Sequence, residues 1–504
     1  MKTLSYIVAT AVCVVALGAP AVCAQRPAPD QGQPPVPDQT QQQTPSDQAP
    51  AQAATPIPAY HSPLASAANN DDEENVTELT PDTSALTGVQ NLTIGAPVSR
   101  SYWQPHVDFT STVDSNPQIA PGQSSWGTWT SIIGGVDLHR TSGNSVLALD
   151  YLGGGMFSND SNGNNGVLQG LSFSDKYLFR RWAILFFDQL NYSPGSAFGL
   201  NGLGGDSFPG GGSAGTGTPF NPGQSLLTGQ GQILQNSFNT EVDTYLTGRT
   251  SLTFVGGYSL GHYFQSDLFD YGNANFRVGY NYQLDRKNTI GLSYTFSEFN
   301  YNNSNQSITS HTALVSYGRR VTGRLALQVG VGPQISFSHE PITGGVSPGG
   351  AGAGGAAESS ATLVGWALNA NLQYQWERTS LILSYNHGVG GGAGLLAGSL
   401  TDTASGSVTR RVSRTFSSGI TGGYSRNQGE AIGLGAATNQ TFDYWFGGAN
   451  LSHPIGRTLA LSLSYQFQYQ TSNTPVCVGP TCGMSVTRNT ISFGLGWHER
   501  PLLF

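Results

Sequence analysis

The chain is poor in charged residues and lacks long apolar runs beyond its first residues. Only 10% of its 504 residues are Asp, Glu, Lys or Arg, whereas about 25% is usual for a soluble domain. After Leu17 there is no stretch of about 20 apolar residues, so we expect no transmembrane helix. The first absence disfavours an ordinary soluble globule, and the second excludes a helical membrane protein.

Cysteine is also scarce. Of the four cysteines, Cys13 and Cys23 lie in an apolar N-terminal stretch, and only Cys477 and Cys482 remain, in the turn-rich sequence TPVCVGPTCGM. In an oxidising compartment two such cysteines pair, so we predict a disulfide between them. A loop this small contributes about 2 kcal/mol at most by chain entropy. No histidine lies nearby, which disfavours a metal or redox site.

The first 99 residues predict export and then an unstructured segment. Lys2 precedes an apolar stretch that ends in Val22-Cys23-Ala24, a pattern typical of a signal peptide over residues 1–24, cleaved between Ala24 and Gln25. Residues 25–99 are rich in Pro, Gln, Ala, Asp and Thr, cannot form a core, and are predicted to be a disordered periplasmic segment. The formal charge of −8 disfavours a nucleic-acid partner.

From about residue 100 the chain alternates between apolar and polar residues. In LALSLSYQFQYQ (459–470) one row runs from Leu459 to Tyr469 and the other from Ser462 to Gln470. Because successive side chains of a strand point to opposite faces, this period of two predicts β-strands. The alternating runs cover about 10 to 16 residues, whereas strands of globular proteins average 5 to 6 and a tilted membrane strand needs about 9 to 11.

The connections between these runs alternate in length. Every short connection contains arginine: 139–144, 179–182, 247–250, 284–288, 319–324, 377–380, 410–414 and 453–457. The longer connections are rich in Gly, Ser and Asn: 158–166, 195–237, 340–360, 389–399 and the segment around the two late cysteines. Short turns at one rim and long loops at the other are typical of an outer-membrane barrel, whereas a soluble sandwich has no reason to sort its loops in this way.

Counting strands around the short turns gives seventeen from Trp126 onward, and residues 101–116 supply one more. We therefore predict an all-β fold over residues 100–504: a transmembrane, antiparallel, up-and-down β-barrel of about 18 strands, with 16 as the alternative. Closure of the barrel gives every backbone group a partner, as lipid requires.

This part of the chain resembles the Gram-negative outer-membrane β-barrel proteins of porin-like size, and it shares the terminal Phe504 common in that family. One departure is Pro501, which breaks the alternation, so that Leu502 and Phe504 are expected to leave the row of Ile491 to Trp497. The stretch 79–95 also resembles a leader of acidobacterial outer-membrane proteins, and it implies no function.

The resemblance implies a location and partners. The barrel would lie in the outer membrane of a Gram-negative bacterium with its N-terminal segment in the periplasm. Its partners would be outer-membrane lipid and lipopolysaccharide, small solutes, and the barrel-assembly machinery, which would recognise the C-terminal strand. No cofactor is implied, and the sequence leaves monomer and oligomer open.

Motifs for catalysis are weak. The pattern G-x-S-x-G occurs at Gly257–Gly261 and Gly211–Gly215, but one copy lies inside a predicted strand and the other in a glycine-rich loop. The chemistry of this motif requires a strand–turn–helix elbow. The nine histidines show no metal-ligand spacing. We therefore expect no enzyme, no catalytic residue, no cofactor site and no metal site.

The residues with a better claim to function are charges on the polar faces. The alternation predicts that six of them line the pore: Asp150, Glu241, Asp243, Arg277, Arg324 and Glu377. A barrel of 16 to 18 strands leaves an aqueous channel, in which such charges bias the passage of ions.

Counted from the connection between residues 116 and 126, the segment 195–237 is the third loop at the long-loop rim. The third loop constricts the pore of general porins, so the resemblance predicts either a constriction here or an external lid. The candidate lining residues are nearly neutral: Phe198, Leu200, Asp206, Phe208 and Phe220. The function we expect is a porin-like channel for passive diffusion of small solutes. The alternatives are a plugged barrel that acts as a surface adhesin or structural protein, and a soluble secreted all-β protein.

Overall fold

The structure, a computed structural model, describes residues 101–503 apart from twelve segments: 122–124, 160–164, 194–231, 265–267, 303–305, 342–357, 391–395, 397, 414, 430–439, 457 and 479–480. The predicted signal peptide with its cleavage site between Ala24 and Gln25, the segment 25–99 and Phe504 lie outside the described residues. In the part of the chain that is described, no helix is long and apolar enough to cross a membrane.

The described residues form eighteen long strands and one short one. The strands are β1 (Tyr102–Asp114), β2 (Gly127–Ser142), β3 (Ser145–Ser158), β4 (Gly166–Leu178), β5 (Trp182–Ser193), β6 (Ile233–Tyr245), β7 (Thr250–Tyr263), β8 (Tyr271–Gln283), β9 (Asn288–Tyr301), β10 (Gln306–Thr322), β11 (Leu325–Pro341), β12 (Glu358–Gln375), β13 (Thr379–Gly390), β14 (Ser399–Arg411), β15 (Ser417–Gly429), β16 (Thr441–Ile455), β17 (Leu459–Val478), β18 (Thr481–His498) and β19 (Leu502–Leu503).

Each strand pairs antiparallel with the next one in the chain, and β1 pairs with β18 to close the sheet on itself. The prediction of a closed, up-and-down barrel of 18 strands is therefore confirmed. The first upward strand, expected within residues 101–116, is β1, and the short β19 extends the closure along β1.

The alternation along the strands sorts apolar side chains outward. On β17 the outward residues Leu463, Tyr465 and Phe467 are 47%, 44% and 37% exposed, whereas Gln468 and Gln470 are 2% and 4% exposed. A soluble β-protein would bury the apolar row instead. The apolar exterior and polar interior are those of a barrel that spans a membrane.

The connections at the two ends differ in length, as predicted. The short turns of the described residues, which we call the short-turn rim, are 143–144, 179–181, 246–249, 284–287, 323–324, 376–378, 412–416 and 456–458. Exposed outer-face aromatics near this rim are Trp103, Trp182, Tyr282, Trp376 and Trp497. Those near the opposite, long-loop rim are Phe157, Phe264, Trp366 and Trp445. These two belts suit the two membrane interfaces.

The C-terminal strand contains a bulge at the expected break in alternation. His498 pairs with His106 and Leu502 pairs with Trp103, so three residues of this strand oppose two of β1. The extra residue returns Leu502 to the outer face, where it is 44% exposed. The prediction that Leu502 leaves the outer row is therefore wrong, because a one-residue bulge corrects the phase that Pro501 breaks.

Candidate functional site in the barrel interior

The inner face of the barrel carries charged side chains of both signs. Strand alternation and register place eleven of them there in the described part of the chain: Asp108, Asp114, Asp137, Asp150, Lys176, Glu241, Asp243, Arg277, Arg320, Arg411 and Arg488. The carboxylates outnumber the basic groups by one, and four of the six carboxylates lie on β1 to β3.

Two carboxylates lie beside one imidazole on β1 and β2, and a third carboxylate on β3 is paired with one of them. Asp137 and Asp150 are directly paired across β2 and β3. The Nδ1 atom of His106 lies 3.5 Å from Asp137 Oδ2, and its Nε2 lies 3.9 Å from Asp108 Oδ2. His106 and Asp108 are 5% and 2% exposed. This concentration of negative charge attracts cations to one side of the interior.

A glycine makes room for the His106 ring. A Cβ atom on Gly135 would lie 2.3 Å from His106 Nε2 and 2.6 Å from the Tyr151 carbonyl oxygen. Gly135 is the direct partner of His106 in the β1–β2 register. The imidazole therefore lies over the β2 backbone, a position that any larger residue at 135 would block.

A second charged group follows one register row across β4 to β8. Lys176, Leu185, Glu241, Val255 and Arg277 are successive partners in this row. Arg277 lies within electrostatic range of Glu241 and donates from Nε to Thr295 Oγ1 at 2.9 Å. Val255, between the two charges, is 2% exposed. This side of the wall is therefore nearly balanced in charge.

The loop that follows β1 folds into the barrel. Its residue Ile119 packs in one buried cluster with Tyr444, Phe446 and Val486, which are inner-face residues of β16 and β18. Asn116 fixes the loop: its side chain accepts from Ala120 N and donates to Ala120 O, both at 3.0 Å. The segment 115–121, which we call the inner loop, therefore narrows the interior near the long-loop rim.

A buried ion pair anchors the inner loop. Arg488 donates to Asp114 Oδ2 from Nε at 2.8 Å and approaches it with Nη2 at 2.7 Å. The two side chains are 9% and 1% exposed, and the other carboxylate oxygen accepts from Asn116 N at 2.9 Å. Ile119 has a φ of 53°, which is costly for a β-branched residue and is held by the surrounding contacts.

Near the long-loop rim the inner face of β6 to β10 is apolar. A buried cluster joins residues of all five strands with Leu268 of the β7–β8 connection: Ile233, Tyr263, Leu268, Tyr271, Phe299, Tyr301 and Ile308. The interior therefore offers apolar surface near one rim and charged surface below it.

The predicted pore residues divide into two groups. Asp150, Glu241 and Asp243 lie on the inner face with Arg277, as their alternation indicates. Arg324 and Glu377 lie instead in turns of the short-turn rim, 54% and 80% exposed, with their charged atoms 3.6 Å apart. Strand alternation does not extend into a turn, so these two side chains are not part of the inner wall.

Other predicted sites lie partly or wholly beyond the described residues. The candidate constriction residues Phe198, Asp206, Phe208 and Phe220 fall in the segment 194–231, outside the described residues. The backbones of Cys477 and Cys482 are direct partners in the β17–β18 hairpin. The disulfide between them stays a prediction.

Several interior residues were missed by sequence reasoning. Asp108, Asp137 and Arg488 have inward parity, and the same alternation that selected Asp150 would have found them. The ion pair of Asp114 and Arg488 joins residues 374 positions apart, and no sequence signal links them.

The serine motif in β7 is not arranged for catalysis. Ser259 faces inward and His262 faces outward, where its Nδ1 lies 2.7 Å from Asp270 Oδ2. The serine and the histidine are thus on opposite sides of the wall. Within the ranges that the structure describes, no group of three His, Cys, Asp or Glu side chains is placed to hold a metal ion.

Comparison with known proteins gives only distant structural similarity. No family model and no curated protein matches the chain. The Acinetobacter baumannii protein OccAB3 is 11% identical, with a TM-score of 0.38 over 80% of this chain and 100% of that one. The E. coli ferric-catecholate import receptor Fiu is 10% identical, with a TM-score of 0.40 over 80% and 82%.

Pseudomonas aeruginosa OccK2, solved in complex with glucuronate, is 10% identical, with a TM-score of 0.37 over 79% of this chain and 98% of that one. TM-scores below 0.5 do not establish a shared fold. The barrel described above rests on the strand pairing of this chain itself.

Proposed function

We propose that the protein is an outer-membrane channel through which small solutes diffuse passively. One observation carries the proposal: a closed barrel of 18 strands presents apolar side chains outward and charged side chains inward. In a barrel surrounded by lipid, polar side chains on the inner wall imply that water or a solute contacts that wall. A barrel of this strand number encloses a water-filled channel in known porins.

The inner loop is the proposed constriction. It lies inside the barrel, and Asp114 and Arg488 fix its base. Solutes that enter from the long-loop rim would pass it before they reach the carboxylates around His106. The loop 195–237, with Phe198 and Asp206, stays a second proposed constriction.

Single-channel conductance in a planar bilayer tests this function. Three forms are compared: the full chain, a variant in which residues 116–120 are replaced by Gly and Ser, and a variant without residues 200–230. Steady conductance steps that widen in the first variant are expected, because the inner loop would no longer narrow the interior. Insertion without conductance in all three forms would contradict a channel.

A plugged barrel that serves as a surface adhesin or structural protein is the second candidate. It is favoured by the low exposure of some inner-face side chains: Thr112, Ser425 and Asn427 are all 0% exposed. An open channel would leave such residues in contact with water. The conductance experiment separates the two candidates, since a plugged barrel would insert into the bilayer without conducting ions.

The cellular setting is part of the proposal. The apolar exterior, the two aromatic belts and the unequal rims suit the outer membrane, with the short-turn rim in the periplasm. The N-terminal segment would then be periplasmic, lipopolysaccharide would surround the long-loop rim, and the assembly machinery would bind the last strand. Protease protection of an epitope before residue 100 in intact cells tests this orientation.

A further inference from the structure

Among the described residues, three histidines approach an aspartate with Nδ1, and one of these contacts differs from the other two. The two on the outer face have ordinary hydrogen-bonding distances of 2.7 and 2.6 Å: His262 with Asp270, and His387 with Asp402. On the inner face, the Nδ1 atom of His106 lies 3.5 Å from Asp137 Oδ2. The inner contact is therefore wider than a hydrogen bond.

The inner contact leaves a buried ring nitrogen without a hydrogen bond. The His106 side chain is only 4% exposed, and its Nδ1 atom has no hydrogen-bond partner. Buried polar atoms of proteins nearly always have one. Asp137 is 22% exposed, so its carboxylate is accessible from the barrel interior, and its Oδ1 atom also lacks a hydrogen-bond partner. A ligand between the two side chains would satisfy both atoms.

The distance between the two side chains suits a metal ion. Zinc binds histidine nitrogen at about 2.0–2.1 Å and carboxylate oxygen at about 2.0–2.2 Å, so two such ligands at a tetrahedral angle lie about 3.3–3.5 Å apart. The distance from His106 Nδ1 to Asp137 Oδ2 is 3.5 Å. The two outer-face pairs are too close for an ion to lie between their atoms.

Neighbouring residues hold the ring in an orientation that a metal ligand needs. Gly135 leaves the space in which the His106 ring lies over β2. On the other side of the ring, Asp108 Oδ2 lies 3.9 Å from Nε2. A histidine that binds a metal usually has a carboxylate or carbonyl at its second ring nitrogen, which fixes the ring and its tautomer. Asp108 occupies that position, and Nδ1 faces Asp137.

The charge around the contact favours a cation. Asp150 is the direct partner of Asp137, so three carboxylates lie near the ring when Asp108 is included. The strand partners of these residues include no lysine or arginine: Gln104, Ile133, Gly135, Ser172, Gly496 and His498. Lys176 lies four residues beyond Ser172 on β4, which is roughly 13 Å along the strand. A divalent cation would offset most of this negative charge.

We propose that His106 and Asp137 bind a first-row divalent transition-metal ion, such as Zn²⁺ or Co²⁺, on the inner face of the barrel. The imidazole nitrogen and the carboxylate are the two protein ligands, and water completes the coordination. Two protein ligands agree with the finding that, in the described ranges, no group of three such side chains is placed to hold a metal. The imidazole favours these ions over Mg²⁺ and Ca²⁺, which prefer oxygen ligands.

The sequence shows no metal-ligand spacing for this site because its ligands come from different strands, β1 and β2. Strand register and the space at Gly135 bring them together. The site depends on the geometry of the inner face and not on the proposed passage of solutes.

Calorimetric titration with Zn²⁺ tests the site in the full-length protein, folded in detergent micelles at pH 7.5. His106→Ala and Asp137→Asn should each weaken the binding of one Zn²⁺ equivalent at least tenfold, because each removes a ligand. Asp108→Asn should weaken it by about tenfold, since this residue only positions the ring. The matched control His262→Ala, which removes a histidine from an outer-face pair, should leave that equivalent unchanged.

Co²⁺ in place of Zn²⁺ provides a second readout through its visible absorption. The bands are expected in wild type and in His262→Ala, and they should be lost in Asp137→Asn, a nearly isosteric change that preserves the strand content measured by circular dichroism. Unchanged Zn²⁺ affinity in both His106→Ala and Asp137→Asn would overturn the proposal. Displacement of Zn²⁺ from wild type by Mg²⁺ in hundredfold excess would also overturn it. Conductance without added metal is measured separately, so failure of the metal site and failure of the channel are distinguishable.

Discussion

At the residue scale, two adjacent glycines on β2 differ sharply in what surrounds them. A Cβ on Gly135 would meet the His106 ring at 2.3 Å and the Tyr151 carbonyl oxygen at 2.6 Å, whereas a Cβ on Gly134 would have its nearest atom at 4.0 Å. Gly135→Ala must therefore displace backbone as well as the ring, and overpacking of this kind costs about 1–3 kcal/mol. Gly134→Ala is expected to be nearly neutral.

Urea unfolding of the refolded protein in vesicles measures both variants. The difference in the free energy of unfolding between Gly135→Ala and Gly134→Ala is the quantity of interest, since both add one methyl group to the same strand. Equal stability of the two would show that the His106 ring is not seated on β2.

The two arginine–carboxylate ion pairs found among the described residues provide a second comparison at this scale. Asp114 is 1% exposed, so Arg488→Met leaves a buried carboxylate without its partner, a loss that costs about 3–5 kcal/mol. The same change at Arg324 removes an exposed pair with Glu377, for which about 0–1 kcal/mol is expected. Chemical unfolding of both variants checks the difference.

A small effect of Arg488→Met would have a structural meaning. Such a result would indicate that water solvates Asp114 in the variant and that the inner loop has lost its anchor. Conductance of the same variant is a useful second measurement, because a released inner loop should widen the channel.

The alternation of side chains explains which interior residues a sequence can reveal. Parity assigned Asp150, Glu241 and Asp243 to the polar face, because a strand keeps its period of two over its whole length. The same rule misled at Arg324 and Glu377, which lie in turns where the period ends. Pairing of Asp114 with Arg488 depends on barrel closure between β1 and β18, which no local pattern encodes.

At the element scale, the β17–β18 hairpin sets up the predicted disulfide. Cys477 and Cys482 are direct backbone partners at its tip. Loss of both cysteines, as Cys477→Ser/Cys482→Ser, should lower the free energy of unfolding by about 2 kcal/mol or less, because the closed loop is short. Thermal unfolding with and without reductant measures this.

The reduced wild-type protein is the control for that experiment. It should match the double serine variant in stability, and reductant should not change the variant. A wild type whose mass and stability are the same with and without reductant would show that the two cysteines are free.

The long strands were the most predictable part of the chain. Long strands with strict alternation, such as β12 and β17, follow from their sequences alone. The inner loop does not, because its seven residues carry no periodic signal and its inward position depends on Tyr444 and Val486 from distant strands. The C-terminal bulge was hidden for a similar reason: only the register with β1 shows that Leu502 faces outward.

At the scale of the whole molecule, the number of strands follows from the alternation of short and long connections. Each short turn joins one downward and one upward strand, so the eight turns account for sixteen strands, and β1 and β18 complete the eighteen. The break in pairing between β12 and β13 was not predictable in this way, because it depends on how β13 turns inward after His387. The order of the strands along the chain shows which strands are neighbours, but it does not show over how many residues each pair of strands is hydrogen-bonded.

The distribution of inner charges predicts the ion preference of the whole barrel. Asp114 is neutralised by Arg488, and Glu241 lies near Arg277. The other charges on the described part of the inner wall are Asp108, Asp137, Asp150 and Asp243 against Lys176, Arg320 and Arg411, a negative excess of one. A net negative wall favours cations, so the zero-current potential in a KCl gradient should show that K⁺ passes more readily than Cl⁻.

Neutralising two of these charges tests where the preference arises. Asp137→Asn/Asp150→Asn should lower the permeability ratio of K⁺ to Cl⁻ by roughly twofold, because these carboxylates line the path that ions take. Glu377→Gln removes the same kind of charge from the exposed short-turn rim and should change the ratio little. If Glu377→Gln has the larger effect, selectivity is set at the short-turn rim, and the carboxylates around His106 do not face the ion path.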